Sequence, residues 1–247
     1  MESNRELEIP PPLECIMQGG PVSLFLDFDG TLVELAPTPD TIAPKSDLAN
    51  SLGTLAARLD GRCALISGRA LSDIAKHIGP LRLAGAGSHG ADVRGADGTP
   101  IGQAPEGLPE TLADALIGFA QEQGIDYEAK PHGGALHYRS APAKGEVATA
   151  FALDLAAKHG WHAQPGKCVV ELVRGEADKG TAVFAFMREA PFVGSRPLFI
   201  GDDLTDEAGF KACASLGGAG ILVGERMQTY AQYQLPDVAS VHAWLSL

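Results

Sequence analysis

Apolar residues early in the chain fall into two alternating patterns. Leu24-Phe25-Leu26 and Cys63-Ala64-Leu65-Ile66 are short unbroken apolar runs, the pattern of strands buried on both faces. Leu48, Leu52, Leu55 and Leu59 recur at helical spacing, as do Leu71, Ile74, Ala75 and Ile78. The order βαβα predicts a parallel sheet with helices packed on its faces. Ahead of it, residues 1–20 carry Pro10-Pro11-Pro12 and Gly19-Gly20 and read as a loose N-terminal tail. Pro37, Pro39 and Pro44 mark an extended loop.

The rhythm then changes. Asp97-Gly98 is a hairpin turn signal, and Leu112, Leu116, Phe119 and Ala120 mark a helix. Strands are predicted at 125–130 and 134–139, broken at Pro131-His132-Gly133-Gly134. Val147, Phe151 and Leu155 mark a second helix, followed by strands at 161–164 and 167–173 joined through Pro165-Gly166. This αββαββ order suits an antiparallel sheet with two helices on one face. The first pattern resumes with a helix over 179–190 and a strand at Pro197-Leu198-Phe199-Ile200. A helix from Thr205 to Ala214, a strand at 219–223 and a C-terminal helix with Val238, Val241 and Leu245 complete it. The predicted architecture is α/β: a core formed by residues 21–103 and 175–247, with a small α+β domain, 104–174, inserted in it.

Composition narrows the classes. At 247 residues, 45% hydrophobic and 20% charged, the chain is long enough for a substantial core. Acidic residues outnumber basic ones by 31 to 19, and the net charge of −12 argues against nucleic acid or an anionic membrane as partner. A small anionic substrate needs only a few convergent cations and stays open. Cys15, Cys63, Cys168 and Cys213 stand far apart with no C-x-x-C pair, and three of them fall in apolar strand or helix patterns, the setting of reduced thiols. The acidic, proline-rich start lacks the basic-then-apolar signature of a secretory signal, and no run reaches the roughly 18 apolar residues of a membrane span. The expectation is a cytoplasmic protein.

The chemistry gathers where predicted strands end. Asp27-Phe28-Asp29-Gly30-Thr31, Ser67-Gly68-Arg69 and Gly201-Asp202-Asp203 each follow an apolar run, and ligands of open α/β sheets bind at the carboxyl ends of the strands. A strand's period of two puts Asp27 and Asp29 on one side, although the turn at Gly30 can rotate the second. With Lys179 at the start of a helix, the crevice gains carboxylates, a hydroxyl and an ammonium, an oxygen-rich donor set suited to Mg²⁺ and phosphoryl transfer. Other readings stand beside these. Asp202 to Glu207 is also the pattern of an acidic helix N-cap, and Arg69 is either a phosphate-side residue or a surface charge. Gly85-x-Gly87-x-x-Gly90 matches a dinucleotide fingerprint, but Ala91-Asp92-Val93-Arg94-Gly95 leads to a turn rather than the required helix. A nucleotide-binding oxidoreductase rests on that stretch alone.

Asp27-x-Asp29-Gly-Thr-Leu, Ser67, Lys179 and Gly201-Asp202-Asp203, in this order, resemble the four motifs of the haloacid dehalogenase (HAD) superfamily. The inserted αββαββ unit resembles its α/β type-II cap. Gly201-Asp202-Asp203-x-Thr205-Asp206-Glu207, Gly87-Ser88-His89-Gly90, Glu128-x-Lys130, His137-Tyr138-Arg139 and Glu171…Asp178-Lys179-Gly180 are similar to features of the trehalose-6-phosphate phosphatases. The resemblance covers residues 22–245.

It implies a HAD-like Rossmannoid core with an inserted cap, and hydrolysis of trehalose 6-phosphate through an aspartyl-phosphate. Asp27 would be the nucleophile, Asp29 the acid and base, and Lys179 the counter-charge. Ser67, Gly68, Arg69 and Lys179 would hold the phosphate, and Mg²⁺ would take Asp27, the Asp29 backbone carbonyl and Asp202. Asp203, Asp206 and His89 would stand behind these. Glu128, Lys130, Glu171 and Arg139 would read the sugar. His89 as a structural histidine, and His137 with Arg139 as an exposed polar strand face, are the plainer alternatives. A related phosphatase for sucrose 6-phosphate or mannosyl-3-phosphoglycerate, or a catalytically idle sugar-phosphate-binding partner, are the competing functions. Functional pairing with a trehalose-phosphate synthase is a further expectation.

Overall fold

A computed structural model of the chain describes residues 7–36, 41–80, 82–102, 107–130, 133–166, 168–173 and 177–247. The expected loop prolines Pro37 and Pro39, the break at Pro131-His132 and both expected cap boundaries, 103/104 and 174/175, lie outside the described residues. The chain divides into two compact units, Met1–Gln103 with Asp178–Leu247, and Ala104–Ala177.

In chain order the first unit contributes α1 (Leu13–Met17), β1 (Val22–Leu26), α2 (Leu48–Arg58), β2 (Cys63–Ile66), α3 (Leu71–Ile78), β3 (Ala84–Gly87) and β4 (Asp92–Arg94). The second unit supplies α4 (Glu110–Gln123), β5 (Asp126–Lys130), β6 (Gly133–His137), α5 (Gly145–His159), β7 (His162–Gly166) and β8 (Val169–Val173). The first resumes with α6 (Lys179–Phe186), β9 (Arg196–Gly201), α7 (Glu207–Ser215), β10 (Ala219–Val223), β11 (Tyr233–Leu235) and α8 (Val238–Leu245).

Strand β1 sits in the middle of a sheet ordered β11-β10-β9-β1-β2-β3-β4, parallel except for β4. Its side chains alternate between two cores, which explains the unbroken apolar run. Leu24 and Leu26 pack with Leu52, Leu55 and Val241 on one face, and Phe25 packs with Val183, Phe186 and Phe210 on the other. Register places Leu26 beside Leu65 of β2 and Ile200 of β9. The three polar stretches that follow these strands are therefore neighbours at one edge of the sheet. Since β1 has β2 on one side and β9 on the other, this edge is also the topological switch point.

The second unit is an antiparallel sheet, β5-β6-β8-β7. Leu136, Val170 and Leu172 face α4 and α5 through Leu112, Leu116, Ala148 and Ala152. Glu128, Ala135, Glu171 and Gln164 form one cross-strand row, and the period of two turns this row away from the helices.

The structure corrects several boundaries. Part of the lead-in is not loose: residues 13–17 form α1, and Leu13 is fully buried against the core. Strand β11 is short and half-polar, and the apolar pattern missed it. The helix expected from Thr205 begins as a 3-10 turn, Leu204–Asp206, because the Asp203 side chain caps it by accepting the Leu204 N–H at 2.7 Å. The 179–190 helix stops at Phe186. Pro165 and Gly166 belong to β7, and the turn comes after them, with Cys168 at φ +62° rather than in a strand. Strand β6 ends at His137, so Arg139 lies in the following turn and does not share a strand face with it. In α5 the buried stripe is Ala148, Ala152 and Ala156, leaving Val147 exposed. No α-helix follows the Gly85–Gly90 stretch; β4 pairs back antiparallel on β3, which removes the dinucleotide reading.

Candidate active site

Asp27 is the first residue beyond β1, and its N–H is held by the Ile200 carbonyl at 2.9 Å, as if the strand continued. Its side chain is buried against Lys179, at 2.8 Å. Lys179 opens α6, whose start is fixed by a reciprocal cap. The Asp178 side chain accepts the Thr181 N–H at 2.7 Å, and Thr181 Oγ1 accepts the Asp178 N–H at 2.9 Å. The lysine, 2% exposed, also donates to Asp206 Oδ1 at 2.6 Å. The other Asp206 oxygen accepts the Asp203 N–H at 2.8 Å, so this fully buried carboxylate locks the β9 turn to the lysine.

Asp202 completes the group. Ligand-capable oxygens of Asp27, Asp202 and Asp206 all lie within 4.8 Å of one another. Three carboxylates thus face one ammonium, an excess of negative charge that is costly in a buried site. Burial, and then Asp206, push the Asp27 pKa up, with Lys179 opposing them. Burial alone would lower Lys179, but Asp27 and Asp206 outweigh it and the lysine stays charged. Asp202 is pushed up to about 6, by burial first and Asp206 second. Its Oδ1 is buried without a hydrogen-bond partner among the described residues. A divalent cation fits this arrangement: it would satisfy the orphan oxygen and neutralise the excess charge with hard oxygen donors. Glycine makes the approach possible. Gly30 has φ +74°, and a Cβ there would fall 2.1 Å from Asp202 Oδ2.

Asp29 does not join this cluster. The turn after Phe28, closed by Gly30 N–H to the Val33 carbonyl at 2.7 Å, carries its side chain to Arg69 instead. Arg69 Nε and Nη2 donate to the two Asp29 oxygens at 2.6 and 2.8 Å, and Nη1 donates to Asp73 at 2.8 Å. The surface-charge reading of Arg69 is thereby overturned: its side chain is only 9% exposed. Ser67 is buried at the end of β2, and its Oγ accepts the Arg69 N–H at 3.1 Å. His89, at φ +57°, stands over the same turn, where a Cβ on Gly68 would fall 2.6 Å from its ring. Asp203 is the cap described above. The N-cap reading therefore holds for Asp203, while Asp206 is a buried partner of the lysine.

In the second unit, Lys130 Nζ donates to Glu171 Oε1 and lies 3.8 Å from Glu128. His137 Nε2 hydrogen-bonds Glu128 at 2.8 Å. Gly133 and Ala135 occupy the central strand between these residues and leave room for the lysine to cross it. Glu171 Oε2 and Gln164 Oε1 are buried without partners among the described residues. No hydrogen bond or ion pair joins Arg139 to this group among the described residues.

Sequence reasoning missed Arg226, which donates to the Asp202 carbonyl at 2.8 Å and to Glu207 at 3.2 Å. It sits in an irregular loop with no motif to mark it. Gln164 was also missed, because its strand was read as ending at that residue. The pairing of Arg69 with Asp73 did leave a signal, an i,i+4 charge pair.

Comparison with known proteins agrees with this geometry. The family model described as trehalose-phosphatase matches residues 25–239. The trehalose-6-phosphate phosphatase of Escherichia coli is 39% identical over 226 residues, 90% of this chain and 85% of the relative. Among solved structures, the C-terminal domain of Candida albicans trehalose-6-phosphate phosphatase superposes with a TM-score of 0.73 at 20% identity, covering 99% of this chain and 100% of that one. A Bacteroides thetaiotaomicron phosphatase of the HAD superfamily gives a TM-score of 0.62 at 17% identity, covering 92% and 93%. These two structural likenesses establish the HAD fold. Because the family match runs from the end of β1 through the whole second unit and the β9 turn, the chain belongs to the trehalose-phosphatase family.

Proposed function

We propose that this enzyme hydrolyses trehalose 6-phosphate to trehalose and inorganic phosphate, with Asp27 as nucleophile. The observation that carries the reading is the buried Asp27–Lys179–Asp206 cluster at the sheet's switch point, with beside it an Asp202 oxygen that has no partner among the described residues. Such a group is arranged for charge that arrives with a substrate. Asp27, Asp202 and the Asp29 backbone carbonyl would hold Mg²⁺, with Asp206 standing behind them on Lys179. Bound there, the cation supplies neutralisation of phosphoryl oxygens.

The remaining chemistry belongs to the chain. The Asp27 carboxylate forms a bond to phosphorus as the bond to the sugar oxygen breaks, and that oxygen takes a proton from Asp29. Water then attacks the aspartyl-phosphate and gives its proton to Asp29. The bond to Asp27 breaks and phosphate leaves. Lys179 holds charge against both steps, and Ser67 Oγ with the amides following Asp27 holds phosphoryl oxygens. Recognition of the sugar falls to the polar face of the second unit. Glu171 Oε2 and Gln164 Oε1 there are acceptors suited to hydroxyl donors, and Lys130 is a donor.

Among the described residues no helix is long and apolar enough to cross a membrane. The four cysteines are free, which supports a reducing, cytoplasmic setting. A trehalose-phosphate synthase, which makes the substrate, is the natural functional partner in this reading.

Phosphate release from a panel of sugar phosphates, in Mg²⁺ and in chelator, tests the function. Trehalose 6-phosphate should lead sucrose 6-phosphate and mannosyl-3-phosphoglycerate, with turnover lost in chelator. Asp27→Asn should lower activity by at least about 10³-fold with the fold intact. Retained turnover in that variant would overturn the mechanism, and no preference for trehalose 6-phosphate would overturn the substrate.

A further inference from the structure

Arg69 was expected near the phosphate, but its three side-chain nitrogens each donate to a carboxylate, two bonds going to Asp29 and one to Asp73. The bonds to Asp29 run from Nε and Nη2 to separate oxygens, the parallel fork that fixes a carboxylate in plane as well as in place. Asp73 lies on α3 and holds the opposite edge of the guanidinium. The backbone is fixed too. Arg69 N–H donates to Ser67 Oγ at 3.1 Å, and the Arg69 carbonyl accepts the Ser88 N–H at 2.9 Å. A Cβ on Gly87 would fall 3.0 Å from that carbonyl, so glycine lets β3 close against it. The guanidinium carbon also lies 6.0 Å from the centre of the ring of Phe28, the residue between Asp27 and Asp29.

We infer that Arg69 is a positioning residue for the proton-transfer group: anchored by Asp73, it aims the Asp29 carboxylate, and it is not a phosphate ligand. This rests on the reading above in which Asp29 moves the proton. Its chemical consequence is selective. Attack by Asp27 on a nitrophenyl phosphate ester expels nitrophenolate, which leaves with the bonding electron pair and needs no proton. Expulsion of the sugar alkoxide from trehalose 6-phosphate needs the Asp29 proton. Hydrolysis of the aspartyl-phosphate needs Asp29 to accept one from water whichever ester was used. Disturbing Arg69 should therefore slow every step that uses Asp29 and spare the one that does not.

The test uses the full chain with saturating Mg²⁺ and rapid-mixing kinetics on both esters. For Arg69→Met, kcat on trehalose 6-phosphate should fall about 10²-fold, the effect of misplacing a reacting group by about 1 Å, with KM changed less than about threefold. On p-nitrophenyl phosphate the same variant should release about one equivalent of nitrophenolate at the wild-type rate and then turn over slowly. Inhibition by inorganic phosphate should stay within about threefold of wild type. Arg69→Lys keeps the charge but loses the fork, so it should resemble Arg69→Met. Asp73→Asn loosens the anchor, and should show the same pattern at about a tenth of the effect.

Loss of the nitrophenolate burst, or phosphate inhibition weakened by about tenfold or more, would make Arg69 a phosphate ligand and overturn the inference. Full rescue by lysine would reduce it to charge alone, and an unchanged kcat would remove it. Should Arg69→Met fail to fold by near-ultraviolet circular dichroism, Asp73→Asn and Arg69→Lys carry the same comparison. A wild-type enzyme active on the nitrophenyl ester but not on trehalose 6-phosphate would sink the substrate assignment alone. The slow second phase in the variants would still report on Arg69.

Discussion

Each unit of the molecule contains a lysine between two acids, and the two clusters are built to opposite ends. In the core, Lys179 lies 2.8 Å from Asp27 and 2.6 Å from Asp206, and all three side chains are sealed from solvent. In the second unit, Lys130 is bonded to Glu171, which is 8% exposed, but Glu128 on its other side is half open to solvent. The core cluster is anchored by a helix cap and a turn, and each acid in it is bonded to the lysine. The cluster on the second unit keeps two acceptors without partners among the described residues and one acid exposed, so it can still accept hydrogen bonds. Fixed charge suits a reaction common to all phosphate esters. A half-satisfied polar face suits choosing among sugars.

The largest difference should appear in stability. Lys179→Met leaves Asp27 and Asp206 buried without their ammonium, which should cost about 3–5 kcal/mol. Lys130→Met strands only Glu171 in a buried position and should cost about 1–2 kcal/mol. Urea unfolding of both variants at pH 7.5 without metal measures the gap. Equal losses would mean that the two clusters are not energetically distinct.

Activity sharpens the comparison next. Alanine at Glu128 or Glu171 should lower kcat/KM for trehalose 6-phosphate by about 10–100-fold, since buried polar groups left without partners penalise the complex. The same variants should change kcat/KM for a small generic phosphate ester by less than about threefold. Similar losses on both esters would show that these acids do not read the sugar.

The smallest effect is a pH dependence of the core. The folded pKa of Asp202, about 6, lies above its ordinary value of 3.8. Between these values the folded chain holds a proton that the unfolded chain has released, so this group's contribution to stability falls as pH rises through that window. Above it the penalty is complete. Asp202→Asn should therefore stabilise the metal-free protein at pH 7.5, by about 1 kcal/mol once partial exposure is discounted, and leave it unchanged at pH 3.5. Adding MgCl₂ should reverse the order at pH 7.5 by stabilising only the wild type. Melting in EDTA and in MgCl₂ at both pH values checks this, and a metal-free Asp202→Asn no more stable than wild type at pH 7.5 would refute it.

Much of this was legible in the chain. Unbroken apolar runs belong to strands covered on both faces, and their ends gave away Asp27, Ser67 and Asp202. The core helices announced themselves through leucine spacing. Three of the failures share a cause, which is packing that does not need large apolar residues. Strand β11 is half-polar, α5 is buried through alanines, and β7 continues through Pro165 and Gly166 at the sheet's edge, where an absent N–H is tolerated. Arg226 reaches the Asp202 carbonyl from a loop that carries no periodicity at all.

Asp27 and Asp29 show where the division falls. The sequence determined that two acids stand at the end of a buried strand, that glycine follows them, and that serine, lysine and further aspartates close other elements in a fixed order. Local propensity and alternation are enough for that, because they act between near neighbours. Which acid meets which cation was decided only by the tertiary structure. A strict two-residue alternation would have sent both carboxylates the same way, yet the turn at Gly30 separates them. Asp27 is buried against Lys179, and Asp29 is gripped by Arg69, 40 residues away in the chain. Buried charges must be paired in space, and topology, not sequence distance, sets what is within reach.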